Sequence, residues 1–133
     1  MSAKESAMAL QKILLVDDDQ SFIGLNRAML KYSDVTCQID ECRNGQEALA
    51  YIQSAEQCPD VILLDIDMPV MDGFEFLEKF EQAQLDDDQP MVFMVSSSLS
   101  DQNINRTRKY PFVKGFFEKP LTAANIAEIL SKF

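Results

Sequence analysis

Apolar and polar positions fall in blocks along the chain, and the block lengths set the predicted elements. Ile13-Leu14-Leu15-Val16, Val61-Ile62-Leu63-Leu64, Met91-Val92-Phe93-Met94-Val95 and Gly115-Phe116-Phe117 are short, nearly unbroken apolar runs. Such runs mark strands buried on both faces of a parallel sheet. Between them the pattern changes to that of amphipathic helices. Phe22, Ile23, Leu25, Asn26, Met29 and Leu30 form a stripe, in a helix predicted from about Asp19 to Tyr32-Ser33. Val35 to Cys42 alternates weakly and reads as a further strand, followed by a turn at Asn44-Gly45 and a helix marked by Ala48, Leu49 and Ile52. Gly73 opens a third helix carrying Phe74, Phe76, Leu77 and Phe80. Ser100-Asp101 caps a fourth through Ile104 to Lys109, whose apolar face is thin, and Pro111 ends it. Thr122 caps the last, with Ile126, Ile129, Leu130 and Phe133 on its apolar side. Strands alternating with helices predict an α/β fold, a doubly wound parallel sheet of five strands with five helices.

The ends of the apolar runs carry the chemistry. The first runs into Asp17, Asp18 and Asp19; the third-strand run ends in Asp65, with Asp67-Met68-Pro69 and Asp72-Gly73 behind it. The next ends in Ser96-Ser97-Ser98, and the last in Glu118-Lys119-Pro120. In an open α/β sheet, ligands bind in the crevice outside the carboxyl ends of the strands. Acids, a hydroxyl and a lysine are therefore expected to converge there. Asp19 and Asp72 read as turn or helix caps.

Composition narrows the choice of chemistry. The chain has 133 residues, enough for one domain with a real core, and a formal net charge of −10. That charge argues against a nucleic-acid or anionic-membrane surface, both of which need a basic face. Part of it, in Asp86-Asp87-Asp88, reads as a solvated connector. The chain contains no histidine, which excludes Ser-His and Cys-His nucleophile pairs and histidine-bound metals. Cys37, Cys42 and Cys58 lack the spaced pairs of a zinc site and read as reduced thiols. No apolar run approaches membrane-spanning length, and a soluble, cytoplasmic protein is expected.

Leu15-Val16-Asp17-Asp18, Asn44-Gly45 with Ala48-Leu49, Leu64-Asp65 with Met68-Pro69 and Met71-Asp72-Gly73, Ser96, and Lys119-Pro120 follow one another in order. In these motifs the chain resembles the receiver domain of two-component response regulators, of the chemotaxis-regulator-like, standalone single-domain type. The resemblance covers essentially the whole length and implies a flavodoxin-like strand order 2-1-3-4-5. It also implies a receiver domain over residues 11–133, behind an N-terminal extension of residues 1–10.

The resemblance implies roles residue by residue. Asp65 would be the phosphoacceptor, taking a phosphoryl group from the phosphohistidine of a sensor histidine kinase or a histidine phosphotransfer protein. Mg²⁺ would be held by Asp18 and Asp65 directly, by Asp17 through water, and by the backbone carbonyl of Asp67. Independently, a phosphoryl group approaching several carboxylates is repelled unless a cation intervenes, and carboxylate oxygens suit Mg²⁺. Lys119 would place a positive charge on the phosphoryl oxygens, and Ser96 would donate its hydroxyl to one. Ser96 is chosen over Ser97 and Ser98 as the first hydroxyl after the apolar run. Ser96 and Phe116 would form the switch, Phe116 standing where the family often has tyrosine. Asp67 and Ser98 flank the site and bear on the lifetime of the acyl phosphate. The fourth helix, last strand and last helix would present the face to an unknown downstream protein. Such a protein is not an enzyme in the ordinary sense, catalysing at most its own phosphorylation and slow dephosphorylation. Two alternatives from other classes fit less well: a pseudo-receiver that only binds, and a haloacid-dehalogenase-like phosphatase using Asp65-Ile66-Asp67. A receiver cut from a hybrid kinase or a larger regulator is a third.

Overall fold

The computed structural model describes residues 10–54, 58–83, 90–97 and 99–133. The Asp86-Asp87-Asp88 connector, Ser98 and nearly all of the expected N-terminal extension lie outside them. Five strands, β1 (Lys12–Val16), β2 (Gln38–Cys42), β3 (Val61–Leu64), β4 (Met91–Ser96) and β5 (Val113–Glu118), form one sheet. Every pairing is parallel and the order is β2-β1-β3-β4-β5, as the motifs implied. Helices α1 (Gln20–Tyr32), α2 (Gly45–Ser54), α3 (Gly73–Ala83), α4 (Asp101–Thr107) and α5 (Ala123–Leu130) fill the connections.

The period-2 geometry of the strands builds two cores from one set of residues. Leu14, Val16, Ile62, Leu64, Val92 and Met94 point to one face, where Ala48 of α2 and Phe76, Leu77 and Phe80 of α3 cover them. Ile13, Leu15, Val61, Leu63, Phe93 and Val95 point to the other, against Ile23 and Leu30 of α1 and Ile126 and Ile129 of α5. Each fully buried side chain of this size contributes about 1.5–3 kcal/mol relative to exposure. Cys42 belongs to the first core, where burial pushes its thiol up to about 12. All three cysteines are free. Among the described residues no helix is long and apolar enough to cross a membrane.

Caps fix the helix starts. Asp19 accepts from the Ser21 amide, Ser100 from Asn103, and Thr122 and Asn125 form a reciprocal capping box. Asp72 likewise accepts from the Glu75 amide at 2.9 Å.

Three boundaries differ from the sequence reading. The second strand begins at Gln38 rather than Val35, because Val35 is drawn into the core as its amide bonds the Leu30 carbonyl and closes α1. Asn44-Gly45 is a helix start rather than a free turn: Asn44 accepts from the Glu47 amide at 2.9 Å and Gly45 is the first helical residue. The fourth helix ends at Thr107 rather than Lys109, and only Thr107 of it is buried.

Candidate functional site

The strand ladder places the acids. Asp17 and Asp65 directly follow β1 and β3, whose ends are in register at Val16 and Leu64. Their amides stay on the sheet, Asp17 N–H bonding Cys42 O at 3.0 Å and Asp65 N–H bonding Val16 O at 2.9 Å. Their side chains therefore leave the same edge side by side, each residue only 4% exposed. The carboxylates are held from below. Asp17 Oδ1 accepts from the Asp19 amide at 2.9 Å, and Asp65 Oδ1 accepts from Ile66 at 2.8 Å. Asp18 is exposed, yet one oxygen from each of Asp17, Asp18 and Asp65 lies within 4.8 Å of the others.

Lys119 arrives from the end of β5. Its Nζ sits 2.7 Å from Asp17 Oδ2 and 3.2 Å from Asp65 Oδ2, with its side chain 5% exposed. The face of the Phe22 ring lies 4.5 Å from the same ammonium. Ser96, fully buried at the end of β4, is tied to this corner through its carbonyl, which accepts from the Lys119 amide at 3.2 Å. Ser97 is exposed. Phe116 is half-buried and packs on the core under α2 and α3. Asp67 is exposed on the loop after β3.

That loop is fitted closely. A Cβ on Gly73 would lie 2.5 Å from the Asp65 carbonyl oxygen and 3.0 Å from Ile66 Cα, so only glycine lets α3 start against the Asp65 backbone. The Gly73 amide bonds Ile66 O at 2.8 Å, and the Gly45 amide bonds Met71 O at 2.9 Å. Val70, between them, has φ of 70°, a left-handed conformation costly for a β-branched residue. It is also 74% exposed.

Electrostatics follow from the crowding. Burial, then the negative charge of Asp17, push the Asp65 carboxyl up to about 6, and Lys119 only partly offsets them. For Lys119, burial works against the charge, but the hydrogen bond to Asp17 and the charges of Asp65 and Asp17 prevail and hold its pKa above the ordinary value. Three carboxylates thus gather at one corner, and two of them pair with the Lys119 ammonium. The unbalanced negative charge and the all-oxygen donor set fit a hard divalent cation such as Mg²⁺. The structure brings together Asp17, Asp18, Asp65 and Lys119 directly, and ties Ser96 to them through the backbone.

Phe22 was missed by the sequence reading as a site residue; its only signal was an aromatic three residues after Asp19, equally suited to the apolar stripe of α1. Asn26 was read only as part of that stripe. It is buried, and its side-chain oxygen accepts from the Leu121 amide at 3.2 Å, fixing the segment after Lys119-Pro120.

The arrangement is that of a known family. The response regulator receiver domain matches residues 13–131, and the chain belongs to that family. It is 30% identical to the two-component response regulator ORR41 of Oryza sativa subsp. japonica, over 96% of this chain and 97% of that one. It is 31% identical to hybrid signal transduction histidine kinase L of Dictyostelium discoideum, over 98% of this chain but 8% of the kinase. It also spans only 24% to 27% of several protein-glutamate methylesterases that it matches. Among solved structures, a two-component response regulator from Cytophaga hutchinsonii superposes with a TM-score of 0.82 at 27% identity, over 92% of this chain and 96% of that one.

Proposed function

We propose that the chain is a phosphoacceptor response regulator in a two-component phosphorelay, with Asp65 as the acceptor and residues 11–133 as the receiver unit. One observation carries the reading. A buried carboxylate at a central strand end stands within 4.8 Å of two others and 3.2 Å from an ammonium. A lone acid at that place would be a cap; this acid is destabilised by its neighbours and calls for a cation and an electrophile.

In the proposed transfer, an Asp65 carboxylate oxygen attacks phosphorus of a donor phosphohistidine. A phosphorus–oxygen bond forms, and the phosphorus–nitrogen bond breaks with its electron pair leaving on the imidazole, which takes up a proton. Lys119 supplies fixed positive charge where the phosphoryl oxygens arrive, and the buried corner limits competing water. Asp17, Asp18 and Asp65, with the Asp67 carbonyl, would hold Mg²⁺, which when bound offsets charge on the transferring group. Ser96 would then donate its hydroxyl to a phosphoryl oxygen. The inward shift of that hydroxyl opens space that Phe116 can take, altering the face formed by α4, β5 and α5 for a downstream protein. Phe116 lacks a hydroxyl, so this readout rests on packing. The donor is a sensor histidine kinase or histidine phosphotransfer protein, and the setting is the cytoplasm. Asp67 is exposed two residues after the acceptor, and its negative charge would act on an attacking water, so the lifetime of the acyl phosphate is expected to change in Asp67→Asn.

The test is direct. The protein is incubated with Mg²⁺ and acetyl phosphate or phosphoramidate, and its intact mass is measured. A gain of one phosphoryl group by the wild type and none by Asp65→Ala supports the reading; an equal gain by both, or none by either, overturns it.

A further inference from the structure

We propose that Phe22 is a positioning residue for Lys119, an aromatic wall that confines the ammonium to the arc between Asp17 and Asp65. The inference rests on the phosphoacceptor reading, which gives Lys119 its task, and assigns to Phe22 a part in it.

The geometry comes from two ends of the chain. Lys119 Nζ has three hydrogens and touches Asp17 Oδ2 at 2.7 Å and Asp65 Oδ2 at 3.2 Å. It also lies over the Phe22 ring, 4.5 Å from the centroid. That distance is well inside the reach of a cation–π contact, which strengthens as the cation loses water. The lysine side chain is 5% exposed, so the ring occupies space that solvent would otherwise fill. Phe22 is itself fixed by the acids. Asp17 Oδ1 accepts from the Asp19 amide, and Asp19 Oδ1 accepts from Ser21 at 2.9 Å as the cap of α1. The turn that delivers Asp17 and Asp18 to the pocket therefore also sets where α1 begins and where the Phe22 ring stands.

This matters because lysine is a point charge on a flexible stem. Two carboxylate contacts fix the ammonium from the acidic side only. The ring face closes another direction without offering a competing acceptor. When a phosphoryl group joins Asp65, the ammonium is already beside its oxygens, and little order remains to be gained during transfer.

The test compares Phe22→Leu, which keeps an apolar side chain but has no ring, with Phe22→Tyr, which keeps the ring face. Two quantities are read on the full chain. The first is the proton chemical shift of the Lys119 ε-methylene group in the unmodified protein; a ring face 4.5 Å from Nζ displaces it upfield. The displacement is expected in wild type and Phe22→Tyr and lost in Phe22→Leu. The second is the rate of phosphoryl uptake from phosphoramidate with Mg²⁺, expected to fall about five- to thirtyfold in Phe22→Leu and to recover in Phe22→Tyr. In a Lys119→Ala background the Phe22→Leu change is expected to cost nothing more. The inference is overturned by an undisplaced Lys119 methylene in wild type, by a Phe22→Leu rate equal to wild type, or by the same slowing without Lys119. Failure of wild type to take up phosphoryl at all overturns the phosphoacceptor reading instead, and the methylene shift then judges the contact alone.

Discussion

Replacing Asp65 by asparagine should make the metal-free protein more stable, although it removes the central residue of the site. The carboxyl is moved from its usual 3.8 to about 6, first by burial and then by the charge of Asp17. Each pKa unit corresponds to about 1.4 kcal/mol, so the ionised form costs the fold about 3 kcal/mol at neutral pH. The pocket opens to water on the exposed Asp18 side, and screening brings this to about 1–2 kcal/mol. Because the folded-state pKa of this acid lies above its unfolded value, the folded state holds the proton longer. Stability from this group is greatest below about 3.8, falls as pH rises through 6, and stays low above that. The uncharged amide introduced by Asp65→Asn mimics the protonated acid, can still accept from the Ile66 amide, and leaves Lys119 bonded to Asp17. For a domain of this length, about 1–2 kcal/mol corresponds to a rise of roughly 3–10 °C in Tm. Thermal unfolding followed by far-ultraviolet circular dichroism with chelator, at pH 5 and pH 7.5, measures it. The gain of Asp65→Asn over wild type should be large at pH 7.5 and reduced at pH 5, and millimolar Mg²⁺ should narrow it by stabilising wild type alone. A Tm equal to or below wild type at pH 7.5 in chelator would refute the account of a strained acid cluster.

Three further outcomes follow from contacts in the same region. Lys119→Ala leaves Asp17 and Asp65 facing each other without their cation, so it should lower stability by about 2 kcal/mol in chelator, read from urea midpoints, and slow phosphoryl uptake at least tenfold. Gly73→Ala drives a methyl group to 2.5 Å from the Asp65 carbonyl oxygen. It should cost about 2 kcal/mol or more and weaken Mg²⁺ binding measured by calorimetry, because the backbone bearing Asp65 must retreat. Val70→Asn relieves a β-branched residue at φ 70° and should gain about 0.5–1 kcal/mol in a denaturant titration, with an unchanged m-value.

The sheet and most of the site were legible because the signals are local. Short unbroken apolar runs bounded by polar residues mark buried strands, and the polar residues that follow each run stand at the edge of the sheet. The ends of the runs point to Asp17-Asp18-Asp19, Asp65, Ser96-Ser97-Ser98 and Glu118-Lys119-Pro120 as groups, and the family resemblance singles out Asp17, Asp65, Ser96 and Lys119 among them. Helix caps at Asp19, Ser100 and Thr122 were legible for the same reason. Asn44 was misjudged because Asn-Gly is strong turn chemistry; the glutamate three residues on, Glu47, was the signal for a helix start. Val35 reads as strand in one dimension because its burial, created by the closing turn of α1, has the same pattern as strand burial. The Phe22 contact was illegible. It joins two elements far apart in sequence, and an aromatic on a helix stripe is already explained by core packing.

The hydrogen bond from the Lys119 amide to the Ser96 carbonyl has a thermodynamic corollary. It puts the proposed hydroxyl sensor and the proposed charge anchor on a single rung between two strands. A protein that grips the outer edge of the sheet at β5 must then alter the ease with which that rung shifts. Linkage makes this mutual: whatever factor phosphate on Asp65 adds to the affinity of such a partner, the bound partner adds to the equilibrium constant for phosphorylation of Asp65.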